Sequence, residues 1–164
     1  MKKRNLIILS FLLLLIVGCS SSKETTVKEN ETKELKEMFT QEVEADFSEL
    51  TAWVNLMPNA GNKFHISGIV DVSENFKYDI QFIRLRDILI QQNDKVLYKI
   101  SPIVQLDPEL STDTKKTFRF STSSGLSLTP ELNIEQPCVV EFHFYDGSDL
   151  YKYILENVLI EKTY

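Results

Sequence analysis

Residues 138–160 have the sequence CVVEFHFYDGSDLYKYILENVLI. In the run from Cys138 to Tyr145 every second residue is apolar, which is typical of a strand with one buried face. Asp146-Gly147-Ser148-Asp149 follows, and Asp-Gly between two alternating runs is a strong signal for a β-hairpin. The second run extends from Leu150 to Ile160. This segment therefore predicts two antiparallel strands.

The chain before this hairpin repeats the pattern of short β-branched and aromatic runs between turn residues. The predicted strands are 50–57, 64–72, 79–91, 96–100 and 117–122. Gly68 lies on the inward phase of its strand and predicts a bulge or a close backbone approach. The apolar phase shifts within Asp79 to Gln91, which predicts a bulge or a change of sheet. Seven strands at this spacing predict an all-β, immunoglobulin-like antiparallel β-sandwich, with a barrel as the alternative.

Part of this region resembles a known family. Gly68-Ile69-Val70, the strand Ile80 to Ile90 and the turn Asn93-Asp94-Lys95-Val96 resemble the first half of bacterial FxLYD-type immunoglobulin-like domains. Leu89-Ile90-Gln91 stands where that family has its aromatic–aspartate signature. The resemblance implies a sandwich, and it implies no particular activity, because one fold serves many functions.

The N-terminus predicts export. Lys2, Lys3 and Arg4 precede an apolar run from Leu6 to Val17, which is the pattern of a secretory signal peptide and is too short for a stable membrane span. Ile16-Val17-Gly18-Cys19 resembles the lipobox of bacterial lipoproteins. That resemblance implies a diacylglycerol on Cys19, cleavage before it and acyl chains such as palmitate that hold the protein to a membrane. Ser20 is not the aspartate associated with inner-membrane retention, so in a diderm source the expected location is the outer membrane.

Charge and cysteine content narrow the function further. Removing residues 1–18 takes away three of the 18 basic residues and none of the 24 acidic ones, so the mature chain has a net charge of −9. This charge disfavours nucleic acid and anionic surfaces as partners. With Cys19 lipidated, only Cys138 remains, which excludes an intramolecular disulfide. Cys138 is in phase with the apolar face of its strand, so it is predicted to be a buried, free thiol.

Three segments follow from these patterns. The signal peptide covers 1–18, a lipidated tether covers 19–47, and the sandwich covers 48–164. Residues 20–31 have the composition of a disordered linker. From Thr32 to Phe47, apolar residues three and four apart predict an amphipathic helix that packs on the sandwich, docks a partner or is not stable alone.

The candidate binding residues are aromatic. Trp53 lies on the polar phase of its strand and is either a contact residue or a residue covered by the 32–47 helix. Tyr151 and Tyr153, with Tyr145, form either a second aromatic surface or cross-strand packing. No catalytic motif, metal site or cofactor site is predicted.

The two histidines, His65 and His143, fall on outward phases of strands in opposite sheets, which disfavours one shared metal site. Glu141 and His143 share a face, but the sequence supplies no third group to orient them. The predicted function is a membrane-anchored, non-catalytic envelope lipoprotein that binds a protein or a glycan. The alternative is a lipoprotein that handles copper or zinc through His65, His143 or a methionine.

Overall fold

The computed structural model describes residues 39–40, 43–58 and 61–164. In these residues the regular structure consists of eleven β-strands. They are β1 (Phe39–Thr40), β2 (Ala45–Asn55), β3 (Lys63–Ser73), β4 (Arg84–Gln92), β5 (Lys95–Ile100), β6 (Ile103–Leu106), β7 (Lys115–Ser121), β8 (Leu126–Ser127), β9 (Cys138–Tyr145), β10 (Leu150–Val158) and β11 (Ile160–Thr163). Within the same residues, no helix is long and apolar enough to span a bilayer.

The strands form two sheets. Sheet A has the order β1-β10-β9-β4-β5, and sheet B has the order β11-β2-β3-β7-β6, with β8 paired to β3. The run β2-β3-β7-β6 corresponds to strands A-B-E-D of an immunoglobulin domain, and β10-β9-β4-β5 corresponds to G-F-C-C′. The predicted all-β, immunoglobulin-like sandwich is therefore confirmed.

The chain passes from one sheet to the other at five places, between β1 and β2, β3 and β4, β5 and β6, β8 and β9, and β10 and β11. β1 pairs in parallel with β10 in sheet A, and the next strand, β2, belongs to sheet B. At the other terminus, β10 belongs to sheet A, and after Leu159 the chain continues as β11, parallel to β2 in sheet B. Ser101 and Pro102 likewise separate β5 from β6. The same side of the sandwich thus holds both terminal strands, which cover edges that would otherwise expose unpaired backbone groups.

The core lies between the sheets and consists of side chains that alternate along the strands. Phe142 is fully buried at its centre, and its ring centroid is 4.2 Å from that of Phe47 and 5.5 Å from that of Phe120. Cys138 is also a core residue and a free thiol, as predicted. Burial raises the pKa of this thiol to about 11, so it is neutral at physiological pH.

Gly68 is a position of close approach. A Cβ at this residue would lie 2.9 Å from the Phe120 ring and 3.2 Å from the Leu50 backbone. The bulge itself is in the neighbouring strand, where the pairing of β2 with β3 shifts between Ser48 and Thr51 and Glu49 has a φ of 53°. Glycine at position 68 lets the bulged strand and the aromatic ring pack against β3.

Two sequence-based predictions differ from the structure. Residues 45–47 belong to β2, so the predicted helix does not extend to Phe47. Phe47 satisfies a helical spacing, but its ring is placed between the sheets, and tertiary packing overrides the local pattern. The part of that helix over 32–38, like the signal peptide and Cys19, lies outside the described residues. Residues 79–83 were predicted as strand and form a turn, because Ile80 and Ile83 are buried as anchors of a loop.

Candidate functional site

Trp53 lies on the outer face of sheet B, between the inward-facing residues Ala52 and Val54. Its cross-strand partner in β3 is His65, and the two rings are stacked with centroids 5.0 Å apart and planes 10° apart. Strand alternation explains this pair, because residues directly opposite each other in an antiparallel sheet place their side chains on the same face. Both side chains are half-buried, so the stacked pair remains partly open to solvent.

A loop from the next strand lies against the histidine. β7 ends at Ser121, and the chain leaves the sheet and returns as β8, opposite the start of β3. Thr122 Oγ1 is 3.4 Å from Nδ1 of His65, and Lys63 Nζ donates to the carbonyl of Ser124 at 2.9 Å. Gly125 has a φ of +71°, and a Cβ there would lie 2.4 Å from Cε1 of His65. Only glycine allows the loop to contact the imidazole so closely.

The same loop lines a pocket of about 130 Å³. It is lined by Lys99, Ile100, Ser101 and residues 122–126. The lining is rich in hydroxyl and backbone groups, which can donate and accept hydrogen bonds. We call Trp53, His65, Gly125 and this pocket the Trp53 patch. It combines an aromatic platform with adaptable polar groups, which is the chemistry of contact surfaces for proteins and sugars.

The aromatic pair is uncharged at neutral pH. Partial burial, together with the nearby Lys63 ammonium, lowers the pKa of His65 below its ordinary value of 6.5. Lys63 and Lys99 lie beside the pair and the pocket, while Glu161 of β11 is paired with Trp53 on its other side. The Trp53 patch is therefore an aromatic and polar surface with charges of both signs at its rim, and a rim of polar and charged groups is found in many protein interfaces.

We expect Gly125→Ala to disturb the Trp53 patch and to lower the free energy of unfolding by about 2–3 kcal/mol, because the new methyl group collides with the imidazole and the backbone keeps a positive φ. Trp53 is the single tryptophan, so its fluorescence reports directly on the stack. A change in its emission maximum, together with urea denaturation, measures the effect.

Gly61→Ala is the matched control for this substitution. Gly61 has a φ of +68°, but a Cβ there would have no atom within 4 Å. This variant has only the backbone cost of about 1 kcal/mol and keeps the wild-type emission. Equal losses of stability in the two variants, with unchanged fluorescence in both, would contradict a close contact between Gly125 and His65.

Tyr151 and Tyr153 do not form an exposed aromatic surface with Tyr145. Tyr151 is 2% exposed, and its hydroxyl lies 2.9 Å from Oδ2 of Asp146 and also within bonding distance of the Lys77 carbonyl. The Tyr153 ring packs against Phe47 with centroids 5.1 Å apart and borders the core. Packing, the alternative that the sequence left open, therefore accounts for Tyr151 and Tyr153.

Asp146 holds the β9–β10 turn and the β3–β4 loop together. The sequence pattern predicts it only as a turn residue. The side chain is 7% exposed. Its Oδ1 accepts from the backbone N–H groups of Ser148 and Asp149, both at 2.9 Å, and its Oδ2 accepts from the N–H of Asp79 at 3.3 Å. One carboxylate thus closes the β9–β10 turn and joins it to the β3–β4 loop. The Asp-Gly signal located the turn, but the long-range contact with Asp79 has no local signature.

The second histidine belongs to a polar chain on the outer face of sheet A. His143 Nε2 is 2.7 Å from Oε1 of Glu141, and the Gln91 amide donates to the other oxygen of that carboxylate at 3.2 Å. Gln91 is the orienting group that the sequence did not reveal, because it belongs to β4. His65 is on sheet B, so the two histidines lie on different sheets. Among the described residues, no group of three or more His, Cys, Asp or Glu side chains is arranged to hold a metal ion.

No family model, curated protein or solved structure matches the chain.

Proposed function

We propose that the chain is a bacterial cell-envelope lipoprotein, anchored to a membrane through acylated Cys19, whose non-catalytic β-sandwich binds a protein or glycan partner. In a diderm source the membrane would be the outer membrane. The support for the anchor is the order of basic residues, apolar run and Ile16-Val17-Gly18-Cys19 at the N-terminus. The support for binding is the Trp53 patch.

One observation carries the binding assignment. The ring of Trp53 is fixed by its stack on His65, on a sheet face that points away from the core. A tryptophan held in one orientation loses little conformational freedom when a partner covers it, and such residues are enriched at binding hot spots. The adjacent pocket offers hydrogen-bonding groups that fix the register of the partner.

The competing metal function has less support. Copper or zinc binding requires several His, Cys or carboxylate ligands converging on one point. In the described part of the chain, the histidines lie on different sheets, and the thiol of Cys138 is 1% exposed within the core. Stoichiometric copper or zinc in the purified protein would reverse the preference between the two functions.

We expect Trp53→Ala to abolish or strongly reduce capture of the partner by the lipidated full chain from membranes of the source cell, with a loss of about 2 kcal/mol or more in binding free energy. Capture is measured by quantitative mass spectrometry and by glycan analysis of the retained material. Protease treatment or glycan-cleaving treatment before capture identifies the class of the partner.

Two variants control this experiment. Trp53→Phe keeps an aromatic ring over His65 and should retain part of the capture. Tyr145→Ala removes a half-buried aromatic residue of sheet A and should leave capture unchanged. A partner that is lost with Tyr145→Ala and retained with Trp53→Ala would place the contact on the other sheet and would refute the role of the Trp53 patch.

A further inference from the structure

Two phenylalanines are exposed at one end of the sandwich. Phe76 is 93% exposed and Phe82 is 64% exposed, and both belong to the loop 74–83 between β3 and β4. The turn 146–149 between β9 and β10 is adjacent, since a Cβ on Gly147 would lie 3.9 Å from Cβ of Phe82. We call these two segments the loop end. Exposed apolar groups that cluster in one region of a surface mark sites of contact with proteins or membranes.

The loop that carries the two rings is firmly attached to the core. Tyr78, Ile80 and Ile83 are each 4–6% exposed, and the residues between them are exposed. The Asp79 carbonyl accepts from the N–H groups of Phe82 at 3.1 Å and Ile83 at 3.0 Å. The Asp79 N–H in turn donates to Asp146. The other apolar residues of the loop already fix it to the core, so the loop conformation itself keeps Phe76 and Phe82 exposed.

The polypeptide enters the sandwich at this same end. β1 is parallel to β10, and Phe39 is paired with Leu150, the first residue after the β9–β10 turn. A chain that runs parallel to β10 must arrive at Phe39 from the side of the loop end. Cys19 precedes Phe39 by 20 residues. Even a fully extended segment of that length spans at most about 70 Å, so an anchor on Cys19 keeps the loop end within about that distance of the membrane.

We propose that the loop end rests on the lipid bilayer, with Phe76 and Phe82 inserted at its interface. This inference rests on the proposed lipid anchor at Cys19. Aromatic rings beside basic side chains favour the headgroup region of a bilayer. Lys77 Nζ lies 5.7 Å from the centroid of the Phe76 ring, and the Arg84 guanidinium lies 5.1 Å from that of Tyr145. Insertion beside a covalent anchor is intramolecular, so weak ring–lipid contacts suffice.

The charge of the loop end indicates how it would bind. The loop end with its flanking residues Arg84 and Tyr145 contains four acidic residues, Glu74, Asp79, Asp146 and Asp149, against the basic pair Lys77 and Arg84. This net charge of −2 gives no attraction to anionic lipids, so contact depends on the rings and on the covalent anchor and does not require anionic lipid.

The same orientation turns the Trp53 patch away from the lipid. β2 runs from Ala45, beside the end of β3 that leads into the loop end, towards Asn55 at the opposite end. Trp53 is eight residues further along this strand than Ala45, or about 26 Å at the rise of an extended strand. Docking at Phe76 and Phe82 would thus present the patch to the periplasm or the medium.

Nitroxide depth measurements test the inference on the full, lipidated chain. Single Phe76→Cys, Phe82→Cys and Tyr164→Cys variants are spin-labelled after reconstitution into vesicles of neutral phosphatidylcholine, with or without phosphatidylglycerol. Cys19 is acylated and Cys138 is buried, so only the new cysteine reacts. Tyr164 is 79% exposed and follows Thr163, which pairs with Asn55 at the far end, so it is the matched control.

We expect the ratio of oxygen to nickel-complex accessibility to be several-fold higher at positions 76 and 82 than at 164, in both lipid mixtures. Equal, water-like ratios at all three positions on vesicle-bound protein would overturn the inference and leave the anchor intact. Protein that does not stay with the vesicles at all would refute the anchor and the inference together. If the labels show water-like accessibility and the Phe76→Ser,Phe82→Ser double variant no longer captures a protein that the wild type captures, the loop end binds a protein and not the bilayer.

Discussion

Asp146→Ala is expected to lower the free energy of unfolding by about 2–4 kcal/mol, the largest loss we expect from any single polar side chain of the sandwich. The substitution leaves the N–H groups of Ser148, Asp149 and Asp79 without their acceptor and removes the carboxylate that faces the buried hydroxyl of Tyr151. Chemical denaturation of the purified chain, with an unchanged denaturant dependence, measures the loss.

Asp149→Ala is the control for this change in the same turn. Its side chain is exposed, and within the described part of the chain it accepts from Ser148 Oγ at 3.3 Å. The substitution Asp149→Ala removes one negative charge from the same turn as Asp146→Ala does. It should change the free energy of unfolding by no more than about 0.5 kcal/mol. If the two substitutions cost the same, the network around Asp146 does not hold the turn and the β3–β4 loop together.

The pH dependence of the free energy of unfolding is a second test of the role of Asp146. Burial by itself would raise the pKa of this carboxyl, but the backbone donors of Asp149 and Ser148, with the hydroxyls of Tyr151 and Ser148, outweigh burial and hold the pKa well below its usual range. A depressed folded-state pKa stabilises the protein above the pKa of the unfolded chain, about 3.9, and this stabilisation is lost as the pH falls towards the folded-state pKa. The stability difference between wild type and Asp146→Asn should therefore be constant above about pH 5 and shrink in acid.

Cys19→Ala is expected to move the protein from the membrane fraction to the soluble fraction. A diacylglycerol and an N-terminal acyl chain bury many methylene groups, each worth about 0.8 kcal/mol, whereas the two rings of the loop end alone would give only reversible contact. Fractionation of cells that express the variant, with the N-terminal mass determined in parallel, measures the shift. The mass matters because an uncut leader would itself keep the chain in the membrane fraction.

Cys138→Ala controls for the loss of a thiol. It removes the other cysteine of the chain, from a position 1% exposed in the core, and should leave the protein with the membrane. An unmodified thiol at Cys19 in the native protein, or a Cys19→Ala chain that is correctly cut and still sediments with membranes, would refute lipid anchoring.

The β-hairpin was the most predictable part of the fold. Both strands of 138–160 begin and end close to the predicted positions, because alternation and an Asp-Gly turn are local signals. The break at Leu159, where the chain passes to sheet B, was not predicted. Which sheet a strand joins depends on contacts with distant strands, and β10 and β11 look like one continuous run in the sequence.

The loop end shows why strand prediction failed between Asp79 and Ile83. Ile80 and Phe82 satisfy a strand period, yet Ile80 is buried as a loop anchor and Phe82 is 64% exposed. Alternation of apolar and polar residues shows only that one side of a segment is buried. A loop whose apolar residues are buried in the core can therefore have the same pattern as a strand.

The candidate site was predictable only in part. The outward phase of Trp53 followed from alternation along β2. Its stack on His65 depends on the register between β2 and β3, and the glycine contact depends on where the loop after β7 crosses. Both depend on contacts between residues that are distant in the sequence, which local patterns do not record. Gly125 within a Ser-rich stretch was the one local signal of a tight turn there.

The position of β2 has a mechanical consequence. The strand that carries Trp53 is also the first long strand after the N-terminal segment, and it is paired along its length with β3 on one side and, at its far end, with β11 on the other. A pull between a membrane-bound Cys19 and a partner held at Trp53 would act along the axis of β2. Because both points of load lie on β2, the tension would be carried by the covalent backbone of that strand and not by hydrogen bonds between strands, so traction between the anchor and the partner would leave the β2–β3 pairing unloaded.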